Sequence, residues 1–231
     1  MLISGMLVSR KIFDFISLGC LLWLSCSIIG CAQRDSQSQS AVKLVLWESF
    51  SDSGLLAENA SQPIPRMRYK RVQSGISDKN QIFLELNTAA MAMDTETYQR
   101  LLPLILDEPI PVIQQHIAEG NFTYEDLTRF YLYRIYRYEL NPNTTLHTIL
   151  ALNAEVIQQA RNCDAVLRAL PDQKRHPLFG IPMLLKDNIG ASGMPTTAGA
   201  GALQHHFPED AFITRRLKER GAIILVRLIL A

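Results

Sequence analysis

Charge of one sign is what this 231-residue sequence most conspicuously lacks: 23 Lys and Arg stand against 22 Asp and Glu, a formal net charge of +1. A nucleic-acid binder needs a surplus of cations to neutralise phosphates, so that class is excluded. Cysteine is scarce as well. Of the four, Cys20, Cys26 and Cys31 fall in the first 31 residues, which leaves Cys163 alone in the remainder. One thiol closes no internal disulfide, so packing must carry stability. Cys163 lies in an amphipathic pattern with nothing beside it to activate a nucleophile, and reads as a small core or half-buried residue. Metal-ligand spacing is missing too. His205 and His206 are adjacent and point apart on any regular element, with no Cys or Glu to complete a zinc set. Neither a metal nor a cofactor is expected. Low hydrophobicity is also absent, and 48% apolar residues exclude wholesale disorder.

What is present begins with one long apolar run. Arg10 and Lys11 precede Phe15–Ile29, which only Ser, Gly and Cys interrupt before Gly30-Cys31. A charged start, an apolar middle and a small residue at the end form the layout of an export signal. The run is short for a bilayer-spanning helix, which takes about 20 apolar residues. Ile28-Ile29-Gly30-Cys31 resembles the bacterial lipobox, which implies acylation of Cys31 and a place in the cell envelope; an uncleaved N-terminal anchor and plain secretion are the alternatives. Residues 32–40, Ala-Gln-Arg-Asp-Ser-Gln-Ser-Gln-Ser, read as a flexible polar tether.

The body divides into two zones, 41–111 and 112–231. In the first, Ala41–Trp47 and Gln81–Leu86 are strand-compatible apolar runs, with Gly54, Pro63, Pro65 and Gly75 punctuating the ground between. Tyr98, Leu101, Leu102 and Ile105 have helical spacing, and Pro103 predicts a kink or early stop. Pro109 and Pro111 mark the boundary. In the second zone Thr123 is a helix N-cap with Asp126 three residues on, and Leu127, Phe130, Tyr131, Ile135 and Tyr138 follow at helical spacing until Asn141-Pro142. An aromatic stripe at this spacing reads as core rather than as a ligand platform. Asn153 can cap a second helix in which Ile157, Ala160, Asp164 and Leu167 share a face.

Gly180–Ile189 then reads as a buried strand whose apolar run ends in Lys186-Asp187. Burying an ammonium without a partner is costly, so Lys186 either snorkels into water or stays buried, sheds its proton and can act as a base. A Gly/Thr/Ala-rich loop spans Gly190–Gly201 and lacks the Gly-Lys-Ser/Thr ending of a phosphate-binding loop. Asp210 is placed to cap a helix running to Arg220, with Gly221 as its C′ residue, and Ala222–Ala231 follows as a strand. Arg215, Arg216, Lys218 and Arg220 alternate with Glu219 as a solvated helix face. Strand, loop, helix, strand is an α/β pattern with a crossover connection.

Three stretches carry a family resemblance: His176-Pro-Leu-Phe-Gly-Ile-Pro-Met-Leu-Leu-Lys-Asp-Asn-Ile189, Gly193-Met-Pro-Thr-Thr-Ala-Gly199, and Asp210 through Leu225. In that order they resemble the front of the amidase signature family, as do Arg134-Ile135 and Leu152-Asn153-Ala154. The likeness runs from about Ile117 to Leu225. It implies the N-terminal part of that α/β fold, a mixed sheet flanked by helices, incomplete within these residues. It also implies carboxamide hydrolysis by a nucleophilic Ser, a cis-Ser and a Lys, with Lys186 matching the lysine and a small-molecule amide as substrate. Thr196, Thr197 and Gly199 match the supporting loop, Ala200 stands where a Ser is usual, and Asp187 and Asn188 are expected to support local structure.

After the Ile-Leu strand the family continues with a Gly-Lys-Thr-Asn-like turn and a Gly/Ser-rich segment bearing both serines. Here the sequence reads Val226-Arg-Leu-Ile-Leu-Ala231, and no such Gly/Ser-rich run occurs in it. The expectation is an amidase cut short before its serines and inactive as written. The alternative is a non-catalytic envelope lipoprotein that uses the amidase front half as a binding or structural module.

Overall fold

The computed structural model describes residues 44–48, 51, 53–68 and 78–229. The export signal, the tether and Cys31 lie outside the described residues. In chain order come α1 (Ser53–Ser61), α2 (Asn80–Phe83), α3 (Asn87–Met91), α4 (Thr95–Ile105), α5 (Ile110–Ala118) and α6 (Tyr124–Glu139). Strand β1 (Ile149–Leu152), helix α7 (Val156–Ala169), strand β2 (Pro182–Lys186), helix α8 (Phe212–Glu219) and strand β3 (Ile223–Leu228) complete the order. The three strands form one mixed sheet in the order β1-β3-β2, as the α/β reading expects. Strand β3 runs antiparallel to β1 and parallel to β2, which it reaches through α8. No helix among the described residues is long and apolar enough to cross a membrane.

Helix α6 organises the larger core. Thr123 Oγ1 accepts from the Asp126 amide at 3.0 Å, while the Thr123 amide donates to Asp126 Oδ2 at 2.9 Å. This reciprocal capping box fixes the helix start. Asp164 on α7 adds a second cap, accepting from the amides of Tyr124 (2.8 Å) and Glu125 (3.0 Å). Leu127, Phe130, Leu132 and Tyr136 are buried, whereas Tyr138 is exposed, so the buried stripe turns away from the one expected at its C-terminal end. Phe130 stacks on Tyr98, and Tyr136 meets Phe83 edge-on. Helix α7 follows a turn in which Asn153 Oδ1 accepts from the Glu155 amide; Asn153 thus sets the turn before the helix rather than the cap itself, which falls at Glu155.

Two expectations in the first zone are corrected. Gln81–Leu86 is not a strand: Asn80–Phe83 is helical, because Phe83, Leu86 and Ala90 bury one helical-period face. No strand occurs at 44–48; the amides of Leu46 and Trp47 instead bond the side chain of Asn80, which returns a bond to the Trp47 carbonyl. Of the kink or early stop expected at Pro103, the stop does not fall at the proline, since α4 continues to Ile105.

The sheet lies between two apolar clusters. Ile149, Ile181, Ile223, Leu225 and Val226 join the helical core, and Leu185 and Ile224 join a smaller cluster with Ala191 and Met194. Asp210 does not cap α8, which begins after Ala211; its carboxylate accepts from the Ser192 amide and from Lys218 Nζ, both at 2.8 Å. Gly221, at φ +80°, takes the left-handed C′ position expected of it.

Candidate active site at the ends of two parallel strands

Parallel pairing brings Lys186, at the end of β2, opposite Leu228, at the end of β3. Alternation along β2 puts Lys186 on the same sheet face as Leu184, and Leu185 and Asp187 on the other. The burial follows this pattern: Leu185 and Asp187 are buried, Leu184 and Lys186 exposed. Within the described residues the Lys186 side chain faces solvent, because β2 is an edge strand and nothing covers this face at its end. No side-chain hydrogen bond or ion pair among the described residues engages it. Of the two outcomes open to this lysine, the described residues take the solvent-facing one.

An apolar cleft of about 460 Å³ borders that face. Its lining includes Tyr131, Ile135 and Tyr138 from α6 with Leu184, Leu225 and Leu228 from the sheet. Leu184 and Leu228 are the strand neighbour and register partner of Lys186.

Asp187, on the opposite face, is fully buried and gathers the loop. Its carboxylate accepts from the Thr197 amide at 3.1 Å, the Thr197 hydroxyl, and the Gly199 amide at 3.4 Å. Its backbone carbonyl accepts from the Ala198 amide at 3.2 Å, and its own amide donates to Leu228 O at 2.9 Å. The turn so held is strained, with Ala198 at φ +48° and Gly199 at φ +79°. Thr196 is buried with its hydroxyl unpartnered among the described residues, while its amide bonds His206 O at 2.9 Å. Lys186, Thr196, Thr197 and Gly199 thus share one strand end and one loop.

Sequence reasoning missed Arg227. It is fully buried, and its Nε lies 3.2 Å from Asp187 Oδ1. A basic residue inside the apolar run Ile223–Leu230 was the available signal, on the same reasoning that singled out Lys186. Elsewhere, Cys163 is half-buried and its thiol is pushed up to about 11 by burial and by neighbouring Asp164, away from nucleophilic chemistry. His205 and His206 are exposed, and among the described residues no three His, Cys, Asp or Glu side chains gather as a metal site.

This geometry lies inside a recognisable segment. Residues 126–230 match the Amidase family model. A glutamyl-tRNA(Gln) amidotransferase protein of Lawsonia intracellularis is 41% identical over 102 residues, covering 44% of this chain and 20% of that protein. Its counterpart of the same name in Nitratidesulfovibrio vulgaris is 40% identical over 118 residues, covering 50% of this chain and 22% of its own length. Among solved structures, an amidase family protein from Bacillus anthracis superimposes with a TM-score of 0.60 at 28% identity, over 69% of this chain and 30% of that one. The peptide amidase from Stenotrophomonas maltophilia does so with a TM-score of 0.50 at 35% identity, over 53% of this chain and 25% of that one. The chain therefore spans about a fifth of the length of these curated relatives. The matched segment contains α6 from Asp126, the whole sheet and the loop around Asp187.

Proposed function

We propose that this segment supplies the lysine-bearing part of an amidase that hydrolyses the C–N bond of a carboxamide. The observation that supports the reading is the junction of Lys186 with the Asp187-held Thr197–Gly199 turn, inside residues matching the Amidase family. In the proposed chemistry Lys186 Nζ, as the neutral amine, takes the proton of a nucleophilic serine through a cis-serine. The serine oxygen bonds to the amide carbonyl carbon, the amine leaves with a proton, and water then hydrolyses the acyl-serine. Backbone N–H groups of a glycine-rich loop would hold the oxyanion. A lysine that serves as base must be desolvated, so the mechanism requires further chain to cover the face that Lys186 shares with Leu184. Residues 1–231 hold no Gly/Ser-rich segment with both serines, and on their own are expected to hydrolyse nothing.

The test is a transplant. Residues 126–230 replace the corresponding segment of the Stenotrophomonas peptide amidase, and ammonia release from a peptide amide is measured. Retained hydrolysis is expected; a chimera that melts cooperatively yet releases no ammonia contradicts the reading. A second reading, a non-catalytic module, is favoured by the amine of Lys186, solvent-facing and unpartnered among the described residues. The inactive, folded chimera is the outcome that selects it.

We propose further that Cys31 is acylated and holds the protein to an envelope membrane. Metabolic labelling with an alkyne fatty acid should mark the protein, and Cys31→Ser should remove both the label and the membrane fractionation. Labelling that survives Cys31→Ser contradicts this.

A further inference from the structure

We propose that Arg227 is a positioning residue. It acts through Asp187 to hold the strained Thr197–Gly199 turn and the strand end that carries Lys186.

The sequence places a cation in the middle of an apolar strand, and the fold closes over it. Arg227 is fully buried, as is the Asp187 carboxylate that its Nε meets at 3.2 Å. Its Nη1 and Nη2 have no hydrogen-bond partner among the described residues. Asp187 is thus the one counter-charge that the guanidinium touches there. A buried charge with a single partner depends on it strongly, since removing either leaves the other uncompensated in a poorly solvated site. The dependence passes to the loop because the remaining acceptor capacity of Asp187 is spent on the Thr197 amide, the Thr197 hydroxyl and the Gly199 amide.

The loop needs such a hold. Ala198 sits at φ +48°, a region unfavourable for a residue with a side chain, and is followed by Gly199 at φ +79°. The bonds that the Asp187 carboxylate accepts fall on either side of Ala198, at Thr197 and Gly199, and the Asp187 carbonyl takes the Ala198 amide itself. The same aspartate is next in sequence to Lys186, and its amide ties β2 to Leu228 O at 2.9 Å. Pairing across the strands puts Arg227 beside Leu185 and Leu228 beside Lys186, so the guanidinium braces the strand end from the face opposite the lysine amine.

Amide hydrogen exchange on the 231-residue chain tests this without reference to hydrolysis, so its failure is separate from failure of the amidase reading, on which the catalytic value of the brace rests. In Arg227→Met the amides of Thr197, Ala198 and Gly199 should lose about tenfold more protection than those of Asn153 and Ile223, which bond within the sheet. Arg227→Lys, which keeps the charge, should restore loop protection to within about threefold of the parent. Equal loss at loop and sheet amides, or no rescue by lysine, overturns the proposal. If Arg227→Met does not fold, Thr197→Val supplies the readout. Removing one donor from Asp187 should shift the Arg227 Nε–H proton resonance, and an unmoved resonance overturns the proposal equally.

Discussion

The ammonium of Lys79 and the carboxylate of Glu139 meet at 2.9 Å across 60 residues of sequence, both nearly buried. Lys79 Nζ also donates to the Glu139 backbone carbonyl and to Thr145 Oγ1, and lies 4.5 Å from the centre of the Trp47 ring. Glu139 in turn accepts from the amide and hydroxyl of Thr148 at 3.2 and 2.6 Å. This pair joins the first zone to the C-terminal end of α6, in the segment that matches the Amidase family model. Burial alone would raise the Glu139 carboxyl, but the bonds from Thr148, Lys79 and Thr145 outweigh it and hold the group down at about 2. A carboxyl depressed in the folded state contributes stability above its unfolded value, about 4.3, and loses it as pH falls toward the folded value. Stability should therefore drop between about pH 4.5 and 2, and the drop should shrink in Glu139→Gln, the remainder coming from Glu125, Asp210 and Asp94, whose carboxyls are also held below their usual range; chemical denaturation at stepped pH reads both. Lys79→Met, which leaves the carboxylate without its counter-charge, should cost about 3–5 kcal/mol at neutral pH.

Asp164 caps α6 from another helix, and its loss exposes no new charge pair. Asp164→Ala should destabilise by about 1–3 kcal/mol, since the buried amide of Tyr124 and the partly buried amide of Glu125 lose their acceptor. Burial raises the Asp164 carboxyl even though both amides favour its charged form, so the charged carboxylate is held against a desolvation cost. Asp164→Asn should accordingly be milder than Asp164→Ala in a urea titration. Equal effects would show that the side-chain oxygen is not the cap.

Two glycines with similar backbone angles should respond differently to Ala. Gly180 has φ +70°, and a Cβ there would sit 2.2 Å from the Tyr124 ring. Gly193 has φ +83° with open space around it. Gly193→Ala should cost about 1–2 kcal/mol from backbone strain alone. Gly180→Ala adds overpacking and should cost about 1–3 kcal/mol more. Thermal melts of the two variants separate these terms.

These sites show how much was legible beforehand. The Thr123 cap and the Gly221 stop rest on local chemistry written in a few adjacent residues and were readable from them, whereas the mixed sheet was an expectation drawn from the family resemblance. The failures are tertiary. Asn80 replaces a strand partner for Leu46 and Trp47 from more than thirty residues away, which no local pattern announces. For Lys186 the apolar strand left two outcomes open, and burial, a property of neighbours, decides between them: among the described residues β2 is an edge strand and the lysine faces solvent. Arg227 is the converse: a charge placed in the core by a partner, Asp187, that lies 40 residues earlier in the chain.

Cys163 gives a chemical check on the packing of α7. With its thiol pushed up to about 11, the thiolate at pH 8 is scarcer than in an exposed cysteine by a factor on the order of a hundred. Iodoacetamide labelling of the Cys163 peptide, followed by mass spectrometry, should be slower by about that factor than labelling of the unfolded chain. Equal rates would mean that α7 does not pack as described.

The central claim is that Lys186 serves as a base, and the peptide amidase chimera carrying residues 126–230 tests it most directly. Lys186→Met in that chimera should lower kcat for ammonia release by about a thousandfold, within the usual range for a general base, while the melting temperature stays near that of the unsubstituted chimera. Turnover within about fivefold of the parent would contradict the claim and return Lys186 to the role of a surface lysine.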